Sequence, residues 1–315
     1  MDDQYYQVKN SEDREALRFH GGGLSVIVPA YNEEHGIGLV LDQVFQVLSE
    51  SGLQFEIIIV DDGSQDQTAT IANEIGFARV IRHGFNRGYG AAIKTGIRQA
   101  QNEFICITDA DGTYPNERIP DLLAAIVDGE YDMVVGARVG KNVSIPLLRR
   151  PAKWMIAKLA YIVTGEVIPD INSGLRVFKR SVAMRFFNLL PDGFSLTTTF
   201  TLGLLVNGYS IEYLPIEYFP RLGKSKIRPI QDTLNFIQLV LRIALYFSPL
   251  KIFLPIGGFL FILGILWGWI SWYLFGRVAD ASMMAIIMAS IQVSVVGLLA
   301  DLINHRLAGY QKPED

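Results

Sequence analysis

Cysteine is almost absent: Cys106 is the only one in 315 residues. That excludes a disulfide within the chain and fits a reducing compartment. Charge is sparse as well. Asp, Glu, Lys and Arg make up 19% of residues, and 28 Lys and Arg fall short of 32 Asp and Glu, for a net charge of −4. A chain without a basic surplus is not expected to bind nucleic acid, whose recognition selects basic faces. Residues 1–20 hold no apolar run, so no signal peptide is expected there. No Gly-Lys-Ser/Thr triplet follows directly on the glycine-rich stretch 86–94, which excludes a Walker-type phosphate loop at that position.

Apolar residues are abundant, at 50% of the chain, and unevenly spread. Residues 1–225 read as a soluble domain, and 226–304 carry most of the surplus. The run 252–275 is uncharged and long enough to cross a hydrocarbon core of about 30 Å. Trp267, Trp269, Trp272 and Tyr273 cluster towards one end of it, as an interfacial aromatic belt does. A second uncharged run spans 283–300, and the connector 276–282 is short, so a hairpin with both flanks on one side is expected. Lys251 precedes it, and His305, Arg306 and Lys312 follow, which marks that side as cytoplasmic. Gly257, Gly258, Gly264, Gly268 and Ser271 permit close helix contacts, including contacts with a second copy of the chain. Upstream, 229–247 places Ile230, Leu234, Ile237, Leu241 and Leu245 at helical spacing opposite Gln231, Asp232, Asn235, Gln238 and Arg242. This pattern suits a helix lying in the membrane interface.

Short apolar runs at 24–29, 56–60, 78–81, 104–108 and 133–135 read as buried strands. Helical stretches at 33–51, 66–76, 89–101 and 117–129 alternate with them. The alternation predicts an α/β fold with a mostly parallel sheet, whose ligands bind at the carboxyl ends of the strands. Further helical stretches are expected at 145–164, opening on Arg149, Arg150, Lys153 and Lys158, and at 181–190 and 196–207. The segment 210–219 is expected to be an edge strand or hairpin.

Polar motifs fall at those strand ends. Asp109-Ala110-Asp111 follows 104–108; two carboxylates so close repel unless a cation lies between them, and hard cations such as Mg²⁺ or Mn²⁺ take such oxygen ligands. Pro29-Ala30-Tyr31-Asn32-Glu33-Glu34 ends the first strand and opens a helix. Asp61 and Asp62 end the second, and either accepts hydrogen bonds from a base N–H or a ribose hydroxyl, while Asp66 suits a helix cap. In 86–94, Gly88 and Gly90 let a ligand or a neighbouring backbone approach, the exposed amides suit an anion, and Lys94 adds positive charge.

These blocks, in this order, resemble the family-two glycosyltransferases of GT-A fold, in particular the branch of dolichyl-phosphate mannose synthases and polyprenyl-phosphate sugar transferases. The resemblance spans 24–226, with the hairpin matching in outline. It implies a flexible tail at 1–23, a GT-A domain at 24–226, an interface helix at 227–250, a two-helix transmembrane hairpin at 251–304 and a cytoplasmic tail at 305–315. It implies that Pro29, Ala30, Tyr31, Glu33, Asp61, Asp62, Gly88 and Lys94 line the nucleotide site. Asp109, Ala110 and Asp111 would form the Asp-x-Asp motif, with Asp109 and Asp111 on Mg²⁺ or Mn²⁺. Asp170-Ile171-Asn172-Ser173-Gly174-Leu175-Arg176 is similar to the family's block beside the acceptor pocket, with Leu175 in place of an aromatic. Arg138 and Arg149 match positions that bind the lipid phosphate, and Arg221 with Lys224-Ser225-Lys226 matches the basic loop over the diphosphate. Asp109, Asp111, Arg138, Arg149, Asp170 and Arg221 are thus the expected catalytic group, and Lys226 a further diphosphate contact. Thr113 stands where mannose synthases commonly carry glutamine, which favours a UDP-hexose over GDP-mannose.

The expected reaction is inverting transfer of a hexose to undecaprenyl or dolichyl phosphate at the cytoplasmic membrane face. The acceptor is already anionic near neutral pH, its second pKa being about 6, and so needs no strong base. Two alternatives stay open: a diacylglycerol or protein acceptor, with a general base near Asp170, or a non-catalytic membrane-anchored binder of nucleotide sugars.

Overall fold

The computed structural model describes residues 22–138, 160–161, 164–220, 245, 249–277 and 280–306. The expected interface helix, most of the expected helix at 145–164, and Arg149, Arg150, Lys153, Lys158, Arg221, Lys224, Ser225 and Lys226 lie outside the described residues.

The described strands are β1 Leu24–Ala30, β2 Phe55–Asp61, β3 Arg79–Arg82, β4 Phe104–Ile107, β5 Met133–Arg138, β6 Arg176–Lys179 and β7 Ile211–Ile216. The helices of this part are α1 Ile37–Ser51, α2 Thr68–Glu74, α3 Tyr89–Gln99, α4 Ile119–Asp128, α5 Arg180–Phe186 and α6 Leu196–Val206. One sheet runs in the order β3-β2-β1-β4-β6-β5-β7. Only β6 opposes its neighbours; the other pairings are parallel. The carboxyl ends of six strands, and the amino end of β6, therefore share one edge.

The apolar runs are continuous because both sheet faces are covered. Val26, Val28, Ile57, Ile59 and Cys106 pack with α1 and α4 on one face. Their alternates Ile27, Ile58, Val60, Ile105 and Ile107 pack with α3, α5 and α6 on the other. Burial in this apolar layer pushes the Cys106 thiol up, so it is a core residue and not a reactive one.

Two elements differ from expectation. The first helix opens at Ile37 and not at Glu33, because Asn32 takes a left-handed φ of 52°. The amides of Asn32, Glu33 and Glu34 instead donate to Ser64, Thr68 and Asp66, which stitches the turn after β1 to the turn after β2. Strand β6 was hidden, since its four residues follow directly on a polar block and its pairing is long-range.

Helices α7 Leu250–Phe275 and α8 Asp280–Arg306 form the hairpin. Both are long and apolar enough to cross a membrane. Gly257 faces Ser290 and Ser294, Gly264 faces Ile287, Gly268 faces Met283, and Gly297 of α8 faces Phe253. These glycines serve contact within the hairpin, which removes them as evidence for contact with a second copy; Gly258 faces open space.

Gly96 lets α3 lie close on β1, since a Cβ there would run into Ile27. Gly96→Val is expected to cost about 1–3 kcal/mol by overpacking, read as a lowered thermal midpoint in detergent. Gly258→Ala, on the open side of α7, is expected to leave that midpoint in place. Equal midpoints for both variants would mean that α3 is not tightly seated.

Candidate active site

The edge carries two neighbouring centres and a clasp. The first is a cleft of about 540 Å³ beyond β1, β2 and β3, lined by Tyr31, Gly63, Ser64, Arg82, His83, Phe85 and Asn86 among others. Asp61, fully buried at the end of β2, sits behind two of the cleft's lining residues, Ser64 and Arg82. Its Oδ1 accepts the Ser64 amide at 3.1 Å, and its Oδ2 lies 3.0 Å from the Nε of half-exposed Arg82. That ion pair is too skewed to count as a hydrogen bond, so Oδ2 keeps unmet accepting capacity in a buried position. Arg82 escaped the sequence reading because it ends a short strand and belongs to no motif.

Asp62 does something different from its expected ligand role. Its Oδ1 receives the amide of Arg87 and the Nδ1–H of His83, and its Oδ2 receives the amide of Gly88. Because a carboxylate only accepts, His83 must donate from Nδ1, and its Nε2 hydrogen-bonds the Thr95 hydroxyl at 2.9 Å. Asp62 and Gly88 thus brace the 83–88 loop.

That loop delivers the first turn of α3. A Cβ at Gly88 or Gly90 would collide with the backbone of residues 191–193. The Ala91 amide donates to the Asp192 carbonyl at 3.0 Å, and Lys94 donates to Leu190 O and Asp192 Oδ1. Of the two roles open to these glycines, approach of a neighbouring backbone is the one seen; the amides of Arg87, Gly88 and Ala91 have protein acceptors. Lys94 is paired with the same segment.

The second centre follows β4. Asp111 is buried, and its Oδ1 accepts the amide and hydroxyl of Thr113 at 3.2 and 2.7 Å. Asp109 accepts from the Tyr89 hydroxyl at 2.9 Å. Burial and the Asp109 charge push that hydroxyl well above its ordinary value, so it stays a donor. Gly174 abuts the Asp109 carboxylate, and any Cβ there would fill the space beside it. Among the described residues no group of three His, Cys, Asp or Glu forms a closed metal cage. Two oxygen donors in an open cradle fit Mg²⁺ or Mn²⁺, which keep positions for phosphate and water.

The clasp is Arg138, at the end of β5, against Asp170. Nε and Nη2 donate to the two carboxylate oxygens at 2.6 and 2.9 Å, and the guanidinium lies 5.2 Å from the Tyr218 ring centre. Burial acts to raise the Asp170 pKa, but the hydrogen bonds and charge of Arg138 outweigh it and hold the carboxyl below the usual range. Tyr114 packs edge-on to Tyr218 and accepts the Gly174 amide, which ties the clasp to the acidic pair. Arg176 is fully buried and bonds Ser173 O, Thr197 O and Thr201. It supports the 173–174 turn from behind. Asp109, Asp111, Asp61, Arg138 and Asp170 therefore share the edge, with Tyr31 on the cleft wall and Pro29 and Ala30 ending β1.

Residues 25–187 match the family model described as Glycosyl transferase family 2, and residues 248–305 match the GtrB C-terminal hairpin. The dolichyl-phosphate hexose transferase of Haloferax volcanii is 33% identical over 65% of this chain and 87% of its own length. The undecaprenyl-phosphate 4-deoxy-4-formamido-L-arabinose transferase of Klebsiella pneumoniae is 33% identical over 52% of this chain, which spans about half (51%) of that relative. Among solved structures, glucosyl-3-phosphoglycerate synthase of Mycobacterium tuberculosis, crystallised with Mn²⁺, UDP and phosphoglyceric acid, shares the fold. Its TM-score is 0.62 at 20% identity, over 76% of this chain and 84% of that one.

Asp170 carries a lowered pKa, so the stability it adds is present above its unfolded value, about 3.9, and is lost as pH falls through its lower folded value. Asp170→Asn is expected to cost about 1–3 kcal/mol at pH 7, by stranding a charged partner. Denaturant melts should show this deficit closing as pH drops below about 4. A deficit that persists at acid pH would place the effect in packing instead of charge.

Proposed function

The chain belongs to glycosyl transferase family 2, and we propose that it transfers a hexose from a UDP-sugar to a polyprenyl phosphate at the cytoplasmic face of a membrane. The observation that carries the reading is the convergence on one sheet edge of a nucleotide-sized cleft lined by Tyr31, Ser64 and Arg82, the acidic pair Asp109 and Asp111, and the Arg138 clasp.

Asp61 supports uracil over guanine. Its Oδ1 is held by the Ser64 amide and its Oδ2 lies against Arg82 Nε, so at most one carboxylate oxygen could turn to an incoming base. One oxygen suits the single imide N–H of uracil, whereas guanine presents two adjacent donors that call for both. Arg82 lines the cleft with Nε on Asp61 and Nη2 on the Ser64 carbonyl, and its remaining N–H groups could donate to a uracil carbonyl.

Asp109 and Asp111 would hold a divalent cation, which supplies charge neutralisation for the departing diphosphate. Arg138 presents the incoming phosphate oxygen to the anomeric carbon; Asp170 fixes Nε and Nη2, so the plane of the guanidinium is set before the acceptor arrives. The phosphate oxygen attacks, the bond to the nucleoside diphosphate breaks, and the anomeric centre inverts. Arg149, Arg221 and Lys226 would add positive charge around the two phosphates. For the hydroxyl-acceptor alternative, which needs a general base near Asp170, Asp170 itself is a poor candidate, since both its oxygens are engaged by Arg138.

The hairpin would keep the site at the lipid surface, and Lys251 with Arg306 at its flanks supports a cytoplasmic catalytic domain. The relatives named for dolichyl- and undecaprenyl-phosphate transfer support a polyprenyl acceptor.

The test is transfer of radiolabel to polyprenyl phosphate in detergent, across UDP- and GDP-sugars with Mg²⁺ or Mn²⁺. A labelled lipid is expected from a UDP-hexose, with Asp111→Ala reducing the rate by about 10²-fold or more. UDP is expected to compete for the site at least about tenfold better than GDP. Labelled lipid from GDP-mannose alone would overturn the donor assignment. No lipid product from any donor would overturn the acceptor assignment.

A further inference from the structure

We infer that Tyr89 is a positioning residue for the Asp109 carboxylate, and that the 191–194 segment holds it in place through the Phe194 ring. The inference rests on the metal-dependent transferase reading above.

Tyr89 is the first residue of α3, and its hydroxyl donates to Asp109 Oδ1 at 2.9 Å. One such bond fixes the rotation of the carboxylate plane, and so the direction from which its oxygens meet a ligand. Partners of this kind are known to orient metal-binding groups and to control affinity. Asp111 has an equivalent anchor in Thr113, two residues away. Asp109 takes its bond from another element, the start of α3.

Tyr89 is held on three sides. Gly88 and Gly90 bring the backbone of 191–193 against the helix start, and a side chain at either position would push it away. The Asp192 carbonyl caps the Ala91 amide, and Lys94 clamps Leu190 O and the Asp192 carboxylate. Phe194 then lies parallel to the Tyr89 ring, with centroids 5.4 Å apart and planes 6° apart. Phe194 is 82% exposed, so it is not a core residue. Its described ring contact is Tyr89. Movement of the 191–194 segment is therefore transmitted to Asp109 through one stacked ring and one hydrogen bond.

The experiment measures Mn²⁺ binding to the full chain in detergent with UDP present, by electron paramagnetic resonance or calorimetry, and needs no turnover. Tyr89→Phe keeps the ring and its stacking and removes only the hydroxyl. It is expected to weaken Mn²⁺ binding about tenfold, with the thermal midpoint and metal-free UDP binding unchanged. Phe194→Ala is expected to weaken it in the same direction by less, and Phe194→Tyr to restore it. Mn²⁺ affinity in Tyr89→Phe within about twofold of wild type, below the span expected of such a partner, would overturn the inference. Asp111→Ala separates the two readings. If wild type binds Mn²⁺, Asp111→Ala does not, and Tyr89→Phe binds normally, the positioning role alone fails. If wild type itself binds none, the metal reading fails and takes this inference with it.

Discussion

The site depends on one buried carboxylate whose two oxygens are both engaged by the protein. Asp62 directly follows β2 and gathers the His83 ring and the amides of Arg87 and Gly88. Burying a charge of this kind is costly unless its hydrogen bonds are met, and here both oxygens accept. The loop it fixes leads directly into α3, so the position of Tyr89 follows from it, and the orientation of Asp109 from Tyr89. A strand end in the middle of the sheet thus governs the geometry of the acidic pair one strand beyond its neighbour.

Much of this edge was legible from pattern. Short continuous apolar runs mark five of the seven described strands, two of them closed by acid pairs, and β7 answers to the edge strand or hairpin expected at 210–219. What escaped was the part decided by distant pairing. β6 is four residues long and antiparallel, and no local period announces it. Asp62 and Lys94 carry the residue types of a ligand site, yet the partners that engage them lie 21 to 98 positions away. The glycines of 86–94 were rightly read as places of close approach; spacing alone did not say whether a ligand or the 191–193 backbone would approach. Arg82 left no mark because its meaning comes from Asp61 across the β2–β3 ladder and from the Ser64 carbonyl, both distant in sequence.

Positive charge is handled in two ways around the acidic pair. Arg138 is neutralised by a bidentate carboxylate and backed by an aromatic face, which fixes its plane while keeping it near solvent. Arg176 is buried with carbonyl and hydroxyl partners, and no carboxylate bridges it among the described residues. The first arrangement suits recognition of a planar or tetrahedral anion. The second shapes the Ser173–Gly174 turn, and that turn leaves the open space beside Asp109.

The Arg138–Asp170 clasp joins residues 32 positions apart, so it closes a long excursion of the chain at its base. Closure entropy grows only with the logarithm of loop length, each doubling adding about 0.6 kcal/mol. With its ends pinned at the sheet, such an excursion tolerates insertion and replacement with little penalty to the scaffold. The stretch between Arg138 and Asp170 can therefore change in length at little cost to the sheet that carries Asp61 and Asp109.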